Sequence, residues 1–291
     1  MNWFTFLPLV VTLALGTAAG RVVLPLHPAW EARLLGTVAA STTTAVAGTL
    51  LFVAINYGAS LRPQWADRLP EWTLIGDDTP IPATLGIPAT VLTAVGLAIT
   101  VRLAAGWAEE IRQARRAAER LPDTDVPIAL AIPGRRGGVL VSRGLLTELT
   151  SPELRVVFEH EGSHLRHRHH RYLAAGALAA GLLPPLRRLD ERLRLAVERW
   201  ADEDAAEAVG DRVLVARTVA RVALARSQGW GAVPGFAESG VVQRVEALLA
   251  APPAKSTFTG PVLLAGMGLP STVLALTALQ LDHALALALL S

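Results

Sequence analysis

The sequence predicts a mainly α, multi-span helical membrane protein with a small α+β domain inserted between its third and fourth spans. Three observations carry this expectation. Hydrophobic residues make up 52% of the chain and the mean hydropathy is +0.39, too apolar for an ordinary soluble domain of 291 residues. Four stretches are long and apolar enough to cross a bilayer. The segment between the third and fourth is different in kind: it is rich in arginine, helical in its apolar periodicity, and holds two short strand-like runs.

The first apolar stretch covers residues 3–19. It lacks the basic start of a signal peptide and is followed by further spans, so it reads as a span itself. The second covers 34–57. The third covers 85–107 and is interrupted by Arg102 near its end. The fourth covers 261–281, with Pro270 as a possible kink and an apolar tail running to Leu290. The chain thus divides into a three-span membrane region (1–108), an inserted domain (109–259) and a C-terminal span (260–291). Arg112, Arg115, Arg116 and Arg120 follow the third span. The loop 58–83 is comparatively acidic, with Asp67, Glu71, Asp77 and Asp78 against Arg62 and Arg68, and its Trp65 and Trp72 suit a membrane interface. Basic residues stay on the cytoplasmic side, so the inserted domain is expected in the cytoplasm of a multi-pass cell-membrane protein, with both termini outside.

Within the domain a helix is expected around Leu121. Residues 126–133 and 138–142 follow as two short strands around a glycine-rich turn. Residues 151–183 read as one helix. Ser151 suits the N-cap, Pro152 the first helical position, and Glu153 places an acid in the first turn. The alanine-rich end of that helix, 172–183, is too short to span a bilayer; it either dips into the bilayer or packs on the other spans. Pro184-Pro185 ends it, and helices follow at 186–209 and 212–228.

The chemistry is concentrated at residues 160–164, His-Glu-Gly-Ser-His. On a helix, His160 and His164 lie one turn apart on one face and can share a metal ion. Glu161 lies beside them, placed to take a proton from an activated water. A zinc site needs a third protein ligand, and there are two candidates. His170 has the offset of the metzincin pattern, but that pattern turns at a glycine and this chain has His167 there. In a straight helix His170 lies ~15 Å from His160 along the axis. Glu198, on a returning helix, completes a His-His-Glu set with one position open, and Asp202 one turn on can orient a ligand histidine through its other ring nitrogen. Glu198 is the favoured ligand.

This combination resembles the membrane gluzincins, which include the HtpX/Ste-type peptidases and the relatives of the BlaR/MecR antirepressor peptidases. Residues 135–146 and the His-Leu-Arg-His-Arg-His-His run at 164–170 are similar to small BlaR-related forms that lack an extracellular sensor domain. The resemblance covers residues 126–204, and the spans in arrangement only. Gly162 and Ser163 replace the bulkier residues common between Glu and His in that family. The resemblance implies a zincin-type domain, one Zn(2+) per chain, and a metalloendopeptidase acting on a protein or peptide. By analogy, that substrate is a transcriptional repressor. In zincins an edge strand near the metal helix commonly pairs with the substrate backbone; Val139, Leu140 and Val141 are the candidates here, with an ordinary hairpin as the alternative.

Other classes fall away. The chain has no cysteine, which removes disulfides, thiol catalysis and cysteine-type zinc sites. It has no phosphate-binding or dinucleotide-binding glycine pattern, and Ser163 is not in a serine-hydrolase elbow. A net charge of +2 with no nucleic-acid motif argues against nucleic acid. His167, His169 and His170 interleave with Arg166, Arg168 and Arg171 as a basic collar, expected to meet lipid headgroups or water. His27 and His283 are isolated and receive no role. The alternative function is a zinc-binding membrane signalling protein whose catalytic site is idle.

Overall fold

A computed structural model of the chain describes residues 7–23, 25–61, 81–120, 124–125, 129–132, 138–229 and 236–254. The fourth expected span and most of the acidic loop lie outside these residues.

Helix α1 (Leu7–Ala19) packs on α2 (Pro28–Leu61), where the Thr42 hydroxyl donates to the Thr12 carbonyl at 3.2 Å. Helix α3 (Ala83–Arg120) packs on α2 in turn. Among the described residues α2 and α3 are the two helices long and apolar enough to cross a membrane. Among the described residues, only 28% of the apolar window of α2 and 11% of that of α3 is buried. Their hydroxyls do not oppose immersion. Thr49, Thr90, Thr93 and Thr100 each donate to a carbonyl one turn back, at 2.7–2.8 Å. The described part of the first expected span is 13 residues, or ~20 Å of helix, short of a ~30 Å hydrocarbon core.

The domain begins with an antiparallel pair, β1 (Ala129–Ile132) and β2 (Gly138–Val141), in register Ala129↔Val141 to Ile132↔Gly138. Helix α4 (Arg143–Glu148) follows directly, a short helix in a stretch that the sequence left unassigned. Ser142 caps it by accepting from the Leu145 amide. Helix α5 (Ser151–Arg166) starts one residue earlier than expected. Thr150 is the N-cap, and Glu153 closes a capping box with it.

The single helix expected over 151–183 breaks. Arg168 takes a left-handed conformation (φ 54°), and helix α6 (His169–Leu182) restarts in a new direction. A non-glycine residue in that region costs about 1 kcal/mol, so tertiary contacts must hold it. They lie on either side: His167 bonds Asp204 at 2.9 Å and His169 is driven into the interior. A 3-10 turn (Pro184–Leu186) leads to α7 (Arg187–Val209), which ends at Gly210 in the left-handed region (φ 79°). Helices α8 (Arg212–Gly229) and α9 (Phe236–Leu249) follow.

One core joins the N-terminal helices to the domain. Ala32, Leu35, Val38 and Ala39 of α2 pack against Leu189, Leu193, Val197 and Trp200 of α7, with Ala179 of α6. The Glu31–Arg192 ion pair closes its edge. The alanine-rich run therefore packs between α2, α3 and α7. A second cluster joins Val156 of α5 to Ala205, Val215 and Leu248 of α7, α8 and α9. A third, built on Ala129, Leu145, Leu149 and Val157, seats the sheet on α5.

Candidate metal centre

Helix α5 presents His160 and His164 to α7, which presents Glu198. The two Nε2 atoms are 3.2 Å apart, and each lies 3.6 Å from a Glu198 carboxylate oxygen. A tetrahedral ion with bonds of ~2.0–2.1 Å needs its ligand atoms ~3.3 Å apart, close to each of these spacings, with Glu198 turning Oε2 to His160 and Oε1 to His164. It is the one group among the described residues whose side chains converge as metal ligands. The histidine side chains are 14% and 17% exposed and Glu198 36%, which leaves an open side toward solvent. Glu161 is half-buried on the same helix, near enough to act on the charge of His164 and Arg244.

Each ligand has a partner behind it. Asp202 Oδ1 stands 3.0 Å from His160 Nδ1, a close approach off the ring's N–H direction. Arg244 of α9 donates to both Asp202 oxygens at 2.7 Å, and its third nitrogen lies 3.0 Å from Glu198. One guanidinium thus supports two of the three metal arms. His169 Nδ1 meets His164 Nδ1 at 2.9 Å. Beneath them, the rings of His167 and His169 lie 4.4 and 4.6 Å from Trp200, whose ring also carries the Arg33 guanidinium of α2 at 4.7 Å. Asp204 accepts from the Ser163 hydroxyl at 2.7 Å and pairs with His167, fixing the end of α5.

The charges match this arrangement. Burial alone would lower the His160 pKa, but Asp202 and Glu198 more than offset it and raise it to about 9. Burial lowers His164. Burial, with His164 and His167 close by, pushes His169 down to about 3, so it is neutral. Burial would raise the carboxyls of Glu198 and Asp202, yet His160 and Arg244 hold both below the usual range. Two ionised carboxylates, balanced in part by Arg244, thus stand beside the two histidines and favour a cation between them.

The structure brings together His160, Glu161, His164, Glu198 and Asp202. Val139, Leu140 and Val141 form β2, half-buried beside α5. His170 is exposed on α6 and outside the ligand triangle. The basic collar needs correction: His167 and His169 face inward, while Arg166, Arg168, His170 and Arg171 remain exposed. Their interleaving with arginine hid this, because the left-handed turn at Arg168 reverses which residues point in. Arg244 and His169 were missed. Nothing local marks Arg244; a basic residue on an amphipathic helix ordinarily faces water.

Peptidase family M48 matches residues 114–264, just over half of the chain. The chain belongs to this family. Comparison with curated proteins and with solved structures finds no match. The M48 region takes in every residue of the centre, Arg244 included. It begins inside α3, so α2, which shares the core of α7, lies ahead of it. Membership makes the protein a metallopeptidase of a zinc-dependent family, with a protein or peptide as its substrate.

Proposed function

We propose that this M48 protein is a membrane-embedded zinc metalloendopeptidase holding one zinc ion on His160, His164 and Glu198. The observation that carries the reading is the convergence of the two histidine Nε2 atoms and the Glu198 carboxylate at 3.2–3.6 Å, with Glu161 on the helix of the histidines. Zinc bound there supplies Lewis-acid polarisation of a peptide carbonyl and lowers the pKa of water. Glu161 takes the proton of the attacking water and returns it to the leaving amine. Asp202 and Arg244 hold the ligands in place. The edge of β2 at 139–141 offers backbone groups to an extended substrate.

The exposed apolar faces of α2 and α3 support a multi-pass membrane location, and the arginines after residue 107 support a cytoplasmic domain in the order 1–108, 109–259 and 260–291. The resemblance to BlaR/MecR-related peptidases supports regulated proteolysis, with a transcriptional repressor as the kind of substrate to try first.

The test is zinc content per chain of detergent-purified protein, wild type beside His160→Ala and Glu198→Ala, with cleavage of an unstructured protein measured in parallel. About one zinc per wild-type chain, lost from both variants, together with cleavage, is the expected result. Wild type without zinc overturns the reading. Zinc without cleavage of any offered substrate favours an idle, signalling role.

A further inference from the structure

We propose that His169 is a positioning residue for His164, accepting the His164 Nδ1 proton on its own Nδ1 and so fixing the tautomer that leaves His164 Nε2 free for a metal. This rests on the reading of His160, His164 and Glu198 as the zinc ligands.

Proton counting decides the tautomer. Two ring nitrogens 2.9 Å apart can share only one hydrogen, so one donates and the other accepts. A neutral imidazole that offers Nε2 to a metal carries its proton on Nδ1. His164 Nε2 is the atom that faces His160 and Glu198, so its Nδ1 must be the donor. His169 Nδ1 is then the acceptor, and the His169 proton sits on Nε2. That nitrogen is buried and has no hydrogen-bond partner among the described residues. The unmet donor thus falls on His169, not on the metal ligand.

The surroundings leave His169 little freedom to do otherwise. Its side chain is fully buried, wedged by Trp200 at 4.6 Å and by His167 at 5.7 Å between centroids. The left-handed turn at Arg168 delivers it there; a continuous helix would have carried it past. Asp202 stands behind His160 and Arg244 behind Glu198, so His169 completes the backing of all three ligands.

The test uses the full chain in detergent and reads zinc affinity by chelator competition for wild type, H169N and H169Q. Both variants place an amide in the cavity, but only the asparagine oxygen falls where Nδ1 was. H169N is expected within about threefold of wild type, and H169Q weaker by about 10- to 100-fold, the range usual for lost partners of metal ligands. Equal affinities for the two variants, tight or weak, overturn the proposal. Nitrogen-15 shifts of the histidine rings in zinc-loaded wild type give a second readout that needs no variant: His169 Nδ1 is expected to be unprotonated, and a proton found on it overturns the assignment. Wild type that holds no zinc defeats the reading of the site itself; wild type that holds zinc with H169Q matching H169N defeats the role of His169 alone.

Discussion

Helices α3 and α7 are both long and both bear leucine, valine and alanine, yet they turn them in opposite directions. On α3, Val91, Leu92, Val95, Leu97 and Val101 are 49–65% exposed. On α7, Leu189, Leu193, Ala196 and Val197 are at most 1% exposed, and acids and arginines take the outer face. The difference shows where each helix finds its apolar surroundings. Helix α7 makes them from α2 and α6, and its polar face is left to build chemistry. The described residues leave most of the length of helix α3 uncovered, and the bilayer is the cover proposed for it. On the proposed membrane location, each apolar pattern answers to a different solvent.

The comparison can be broken in several places. The largest expected effect lies on the chemistry that the domain supports: Glu161→Gln should retain zinc and lose cleavage by about 100- to 10,000-fold, the range for removing a general base. Metal content and turnover measured on the same preparation check this. Next is Arg244→Met. It leaves Asp202, 2% exposed, as a buried carboxylate stripped of its partner, so a loss of about 3–5 kcal/mol of stability and weaker zinc binding are expected. Denaturant titration separates it from Arg244→Lys, which keeps the charge but not the fork.

Leu193→Ala and Leu97→Arg test the comparison directly. The first opens a cavity under α7 and should cost about 2–5 kcal/mol. The second should cost ~3 kcal/mol in a membrane-insertion assay, because Leu97 is 65% exposed on a helix proposed to cross the bilayer. If Leu97→Arg inserts as well as wild type, α3 is not lipid-facing and the contrast collapses.

The smallest effect is at the start of α5. The Thr150 amide, helped by the Thr150 hydroxyl and Arg221, holds the Glu153 carboxyl below its ordinary value of 4.5. That stability is present above the ordinary value and is lost as pH falls through the lowered one. Glu153→Gln should therefore cost about 1 kcal/mol at pH 7, with the gap from wild type closing under acid. Thermal unfolding at pH 7 and pH 3 reads both.

Local spacing made much of this legible. His160 and His164 declare themselves because an i, i+4 pair needs only a helix to converge, and Glu198 and Asp202 repeat that spacing on the returning helix. Apolar length alone marked α2 and α3. What escaped depends on contacts between distant segments. Arg244 meets Asp202 across a stretch of chain with no motif. The break at Arg168 carries neither glycine nor proline, and its stability comes from Asp204 and Trp200 on another helix. Helix α4 escaped because Ser142, its cap, also reads as the end of a strand.

The break has an electrical consequence as well. Peptide dipoles add along a helix and leave about half a negative charge at its C-terminal end. Because α5 stops at Arg166, His164 lies in its last turn, and that negative pole sits beside the ligand triangle. An unbroken helix to residue 183 would have carried the pole roughly 28 Å away. The opposite pole, the amide end of α6, falls at His169 and disfavours a second proton on that ring. Two helix ends of opposite sign thus meet between His164 and His169, with the cation-attracting one on the side of the metal ligands.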